Sequence, residues 1–383
     1  MSRARLLLAT LAAYVPAAAL PAIAERGDLP GAPLDPAVLV VPFCLGFALG
    51  FPAWGRAADR RGPDAVVRVG LLLAAFAGVA VAFAPSAPLL LVARALQGLA
   101  AAAIPPAVQA AMAARADDSG AGRAVSGMML AVAAATLAGP ALAPVLADAF
   151  GWSVTALLLS SALPAILAVG GVVHREGGKR HPEPAAYDNP RGVRAGWLVS
   201  ALVLGGHWTV LTRLAEALGP HGLNAGSGAA GIAALTGAAG IPLVVLAARA
   251  SDRRGPKRTM SATLAAGATG FTLAATSSTA AAFIPAAGVG LAVYWAYLPV
   301  VAAQVQRSAG TKARGRAAGG LYAAMWASAA AAGALASLAT SWREVLLGAG
   351  LAWTLAAVVA AKEFLGAASS VSCPPTAPQP SPH

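Results

Sequence analysis

Gly55-Arg56-Ala57-Ala58-Asp59-Arg60-Arg61-Gly62-Pro63-Asp64 is a charged stretch between two long apolar runs. Further along, the chain reads Ala248-Arg249-Ala250-Ser251-Asp252-Arg253-Arg254-Gly255-Pro256-Lys257. Asp59 to Pro63 is repeated letter for letter by Asp252 to Pro256, 193 positions later in a chain of 383 residues, and Arg56-Ala57 returns as Arg249-Ala250. Self-similarity at a half-chain interval marks an internal duplication, so the fold is expected to consist of two similar halves. In the hairpins, Gly55 and Gly62 permit close helix approach and a tight turn. Asp59 stands where a carboxylate can cap or face a helix N-terminus.

The composition states what those halves are made for. Apolar residues make up 58% and charged residues 11% of the chain, against about a quarter charged in soluble domains. The lipid bilayer is therefore the expected surrounding. Two cysteines, Cys44 and Cys373, are too few for a disulfide framework and lack metal-ligand spacing. Paired catalytic acids, a nucleophile with its base and a phosphate-binding glycine loop are also missing. No cofactor, metal or enzymatic chemistry is expected.

Apolar runs near the 20 residues needed to cross the hydrocarbon core occupy residues 5–24, 36–54, 66–84, 88–113, 123–147 and 152–173. Six more occupy 195–218, 226–248, 260–277, 281–305, 315–340 and 343–361. An all-α membrane protein with twelve transmembrane helices is expected: an N-terminal half over 1–173, a linker over 174–194, a C-terminal half over 195–361 and a disordered tail over 362–383. The net charge of +12 would suit nucleic acid in a soluble protein. With both termini cytoplasmic, however, 23 of the 27 Lys and Arg residues fall on the inner side, as the positive-inside rule requires. The charge is thus a topology signal, and nucleic acid is set aside as a partner. Abundant Ala, Gly and Arg point to a GC-rich bacterial genome and hence to a bacterial cytoplasmic membrane.

The pattern Gly55, Asp59, Arg60, Gly62, with its echo at Asp252, Arg253 and Gly255, resembles the loop between helices 2 and 3 of the major facilitator superfamily and that loop's echo between helices 8 and 9. Arg94, Gln97 and Gly98 in the fourth span resemble the superfamily's helix 4 pattern. Gly139, Pro140 and Pro144 in the fifth resemble the helix 5 pattern of proton-linked exporters, although Ala143-Pro144 replaces the two glycines more common there. The resemblance covers the chain to about residue 361. It implies a monomer whose partners are a small-molecule substrate, protons and the bilayer. The hairpins would act as a conformational latch, and Arg94 with Gln97 would serve proton coupling.

Arg94 is also singled out by its own chemistry, because a charge inside a span needs a partner or a wet cavity, or must snorkel to the headgroups. Gln97, three residues on, shares its helix face. Pro140 and Pro144 are expected to bend the fifth span. No span carries a carboxylate near its middle, and the first lacks the Asp or Glu found in several proton-driven relatives. Asp35, Asp148, Glu216 and His207 are the remaining proton candidates, although Glu216 at i+3 from Arg213 suits an ion pair. Spans 1, 4, 7 and 10 would line the substrate cavity by resemblance, with Tyr14, Gln109, Trp208, Tyr294, Trp295, Tyr297 and Gln304 upon them. Aromatic and aliphatic walls suit a small amphipathic compound and an exporter. A facilitator or importer without proton antiport, and a transport-inactive sensor or scaffold, are the competing expectations.

Overall fold

The computed structural model describes residues 2–24, 36–115, 121–170, 186–222 and 225–365. The expected carboxylate Asp35 and the tail after Leu365 lie outside them. The described residues form helices and connecting turns, with no strand among them. In chain order the helices are α1 (Arg3–Ala24), α2 (Pro36–Arg61), α3 (Pro63–Ala82), α4 (Ala87–Ala101), α5 (Ile104–Ala114), α6 (Ala121–Leu157), α7 (Leu163–Val169), α8 (Pro190–Leu218), α9 (Ala225–Arg254), α10 (Pro256–Thr276), α11 (Ala280–Ala309), α12 (Arg314–Leu338) and α13 (Trp342–Leu365).

Local chemistry sets several of these boundaries. Proline opens α2, α3, α8 and α10, where its missing N–H costs nothing and its fixed φ suits the first turn. At the two hairpins, Gly62 and Gly255 adopt φ of +86° and +87°, a conformation that a Cβ disfavours. The repeated sequence thus builds a repeated turn. Arg60-Arg61 and Arg253-Arg254 close the preceding helices, where positive charge complements the C-terminal dipole. Asn189 caps α8 by accepting from the Gly192 N–H at 3.0 Å.

Several expected boundaries move. Residues 190–194, read as linker, are the first turn of α8, because the Asn189 cap and Pro190 start a helix wherever they stand. The fourth span is two helices, α4 and α5, interrupted at residues 102–103 ahead of the Pro105-Pro106 pair. The fifth and sixth spans run together as α6, whose non-helical residue is Gly151 at φ +75°. Gly139 and Pro144 lie within the helix, and Gly151 marks the join between the two expected spans. A short π-helical turn, Leu158–Ala162, then leads into α7.

Helices α1 to α7 pack among themselves, as α1 on α6, α2 on α4 and α3 on α4, and helices α8 to α13 do likewise through α8–α12, α8–α13, α10–α11, α10–α13 and α9–α11. The two sets meet where α2 packs on α12, α9 on α6 and α5 on α12. Large apolar side chains cover the outside: Leu49, Phe76 and Leu338 are more than 70% exposed. Polar groups such as Arg94, Gln97 and Gln109 are at most 1% exposed. That inverted distribution fits a molecule whose solvent is hydrocarbon. Six segments of the described residues are long and apolar enough to cross a membrane, among them Pro63–Ala82 and Ala280–Ala309. Helices such as α12, flanked by α2, α5 and α8, face protein and tolerate Ala, Gly and Ser in place of Leu and Val.

Candidate functional site: the seam between the two helix sets

The first hairpin closes one end of the seam. Asp59, in the last turn of α2, accepts hydrogen bonds from the Gly315 N–H at 2.6 Å and the Arg316 N–H at 3.0 Å. These amides belong to the first turn of α12, so the carboxylate acts as an N-cap supplied from another helix, at the positive end of the helix dipole. The Arg316 guanidinium reaches the same carboxylate, Nε to Oδ2 at 3.4 Å. Such closeness requires glycine on both sides: a Cβ at Gly55 would lie 2.5 Å from the Gly315 carbonyl oxygen. Asp64, just past the turn, pairs with Arg115 at the end of α5, 3.5 Å away. Arg60 is exposed. Asp252 and Arg253 lie in the last turn of α9 and Gly255 makes the matching turn after it, and α9 packs on α6 as α2 packs on α12. Ala248 there replaces Gly55.

Arg94 does not snorkel. It is 0% exposed, and it donates to the Pro16 carbonyl of α1 at 3.4 Å, the Leu39 carbonyl of α2 at 3.3 Å and Gln97 Oε1 at 2.5 Å. Its guanidinium lies 4.6 Å from the Phe43 ring centroid. A buried cation is costly unless hydrogen-bonded. Here neutral acceptors and a π face supply the bonds, and Nη2 has no partner among the described residues. Gln97 is the expected neighbour, and Gly98 lets α4 lie against the Phe43 backbone.

Farther along the seam the lining turns aromatic. Tyr14 of α1 meets Phe47 edge-on at 5.6 Å, Phe47 meets Trp326 of α12 at 5.3 Å, and Trp326 faces Trp208 of α8 at 6.2 Å. Tyr322 stacks near Phe51 at 5.3 Å and donates toward Met128 Sδ at 3.7 Å. Gln109 Nε2 donates across the seam to the Ala302 carbonyl at 3.4 Å. His207 stacks on Tyr294 at 4.2 Å, with its Nδ1 buried and unpartnered among the described residues.

The other expected residues scatter. Tyr297 turns into the C-terminal set, its hydroxyl 2.7 Å from Ser200 and its ring near Trp353. Trp295 contacts Tyr294 at 5.6 Å and packs on α9 at Gly240. Gln304 is half-buried and Asp148 exposed. Gly139 is buried and Pro144 half-buried within α6. Glu216 pairs with Arg213, as its spacing indicated. Sequence reasoning missed Gly315, Arg316, Tyr322, Phe47 and Trp326. Arg314 and Arg316 count among the basic residues of the inner side, and nothing in that charge marks the Gly315 and Arg316 amides as the groups that Asp59 accepts from.

The sequence profile of the Major Facilitator Superfamily matches residues 6–319. The chain belongs to the Major Facilitator Superfamily. Solved structures agree in fold. The proton:xylose symporter XylE, bound to 6-bromo-6-deoxy-D-glucose, superposes with a TM-score of 0.75 at 14% identity, covering 94% of each chain. A bacterial homologue of the iron transporter ferroportin in the outward-facing state gives 0.75 at 19% identity, covering 95% of this chain and 99% of that one. FucP in the outward conformation gives 0.74 at 13% identity, covering 94% and 97%. No curated protein matches the chain at a significant level. The superfamily member described here is a membrane transporter with an all-helical fold.

Proposed function

We propose that this transporter is a secondary active exporter that moves a small amphipathic organic compound out of a bacterial cell by alternating access, driven by proton antiport. Two six-helix halves, residues 1–173 and 195–361, rock about the seam. Twelve spans follow if α4 with α5 counts as one crossing and α6 divides at Gly151, its second part completing one crossing with α7, which leaves both termini in the cytoplasm.

The observation that carries this reading is the cap that Asp59 places on α12, because it joins the two halves at one end of the seam only through bonds that can be broken and remade. The hairpins are cytoplasmic by the positive-inside rule, so the arrangement corresponds to a transporter closed toward the cytoplasm. The Asp59 latch biases the equilibrium between two facings. Arg94 with Gln97 serves coupling, and the aromatic seam around Tyr14, Trp208 and Tyr294 receives the substrate. A facilitator or importer is the second reading, favoured by spans that lack a mid-membrane carboxylate.

The test is accumulation of candidate amphipathic compounds in inverted vesicles with and without a pH gradient. Gradient-dependent accumulation that an uncoupler abolishes is expected. Accumulation indifferent to the uncoupler would overturn proton antiport in favour of the facilitator.

A further inference from the structure

The segment that leads into the C-terminal set does more than approach the latch. Tyr187 places its ring 5.2 Å from the Arg316 guanidinium carbon, on the same arginine whose Nε lies 3.4 Å from Asp59. Tyr187 is itself held in place. It stands edge-on to Trp197 at 6.2 Å with the rings perpendicular. Trp197 is anchored by donating Nε1–H to the Ala317 carbonyl at 2.9 Å and by packing over Gly320. Two residues on, the Asn189 N–H donates to the Ser308 carbonyl at 2.8 Å. The Asp188 carboxylate lies against Gly310, which takes φ +73° where a Cβ would meet that carboxylate. The end of the connecting segment is thus fastened to the turn between α11 and α12, the turn that presents the Gly315 and Arg316 amides to Asp59.

We propose that Tyr187 is a positioning residue of the gate: its ring holds the Arg316 guanidinium in register for Asp59, so that residues 187–189, just ahead of α8, are a working part of the latch. The inference rests on the latch reading of Asp59. Arginine carries much rotamer freedom, and an ion pair between mobile side chains stabilises little. The Tyr187 face removes that freedom through a cation–π contact. Because Tyr187 is tied to α8, α11 and α12, it travels with Arg316 when α2 separates. The arginine is then still pre-set when the gate recloses.

The test uses the full chain in lipid nanodiscs, with Cys44 and Cys373 replaced by alanine and spin labels at Arg61→Cys and Lys312→Cys, both exposed positions near the latch. The distance distribution reads the ratio of closed to open gates. Tyr187→Ala is expected to lower that ratio by about two- to tenfold, the cost of immobilising one rotamer-rich side chain, because the contact itself persists in both states and only the freedom it withholds from Arg316 differs. Tyr187→Phe, which keeps the ring, should match the parent. Tyr187→Leu, which keeps bulk without a π face, should behave as alanine does and decides the matter if the alanine variant folds poorly. In an Arg316→Ala background the Tyr187 change should have no further effect. An unchanged ratio in Tyr187→Ala or Tyr187→Leu, where Asp59→Asn opens the gate, overturns the inference and leaves the latch intact. An equal shift with and without Arg316 overturns it too, since Tyr187 would then act elsewhere. If Asp59→Asn and Arg316→Ala also leave the ratio unchanged, the latch reading itself fails.

Discussion

Replacing Asp59 by asparagine is the most direct probe of the seam, because the change is nearly isosteric and its cost can be worked from three contacts. The parent carboxylate accepts two backbone N–H bonds, at 2.6 and 3.0 Å, and faces the Arg316 Nε at 3.4 Å. An asparagine keeps one acceptor oxygen. Its amide NH2 must face either a backbone N–H or the arginine, donor against donor. A hydrogen bond involving a charged group contributes about 1.5–3 kcal/mol, and the lost charge at a helix N-terminus adds about 0.3–1 kcal/mol. Asparagine is otherwise as good a cap as aspartate, which returns part of the loss. A net cost near 2 kcal/mol to the closed gate corresponds to about a 30-fold fall in the closed-to-open ratio, at tenfold per 1.4 kcal/mol. Spin-label distances across the hairpin end measure that ratio directly, and vesicle transport measures its consequence as slowed turnover. A shift of less than about threefold, with transport at the parent rate, would refute the argument and leave the hairpin a topology anchor.

Gly55→Ala should open the same end by steric means, since its Cβ would meet the Gly315 carbonyl oxygen at 2.5 Å; overpacking of this kind costs about 1–3 kcal/mol, and the spin-label ratio should fall while the hydrogen-bonding groups stay in place. Arg94→Met keeps the volume of the side chain but leaves the Pro16 and Leu39 carbonyls and the Gln97 amide without their donor. The variant should melt at a lower temperature and lose gradient-driven accumulation, and retained gradient dependence would remove the coupling role. His207→Phe preserves the stack on Tyr294 and deletes a buried, unpartnered Nδ1. Thermal stability and gradient dependence are both expected to persist, and loss of gradient dependence with substrate binding intact would make His207 the proton carrier.

The duplicated hairpin, the run of apolar segments and the superfamily were legible because each is written in contiguous residues. Gly62 and Gly255 announced the same turn, and the structure gives them the same positive φ. Arg213 with Glu216 and Arg94 with Gln97 were legible for a similar reason, as i and i+3 neighbours on one helix face. Tyr297 stands at the same i+3 spacing from Tyr294, but spacing along one helix did not name its partner: its hydroxyl lies 2.7 Å from Ser200 on α8.

What the order of residues decided, then, is what local periodicity carries: that the chain is built of apolar helices, that Gly62 and Gly255 make the same turn, and which charges cannot face lipid. Contacts across hundreds of residues were left to the packing of helices. Nothing near Asp59 names Gly315 and Arg316 as its partners, 256 and 257 residues away, because a helix N-terminus offers backbone amides that any sequence carries. The aromatic path from Tyr14 through Phe47 to Trp326 likewise exists only once α1, α2 and α12 lie side by side. Side chains on separate helices acquire chemistry from one another by proximity, and proximity is a property of the fold.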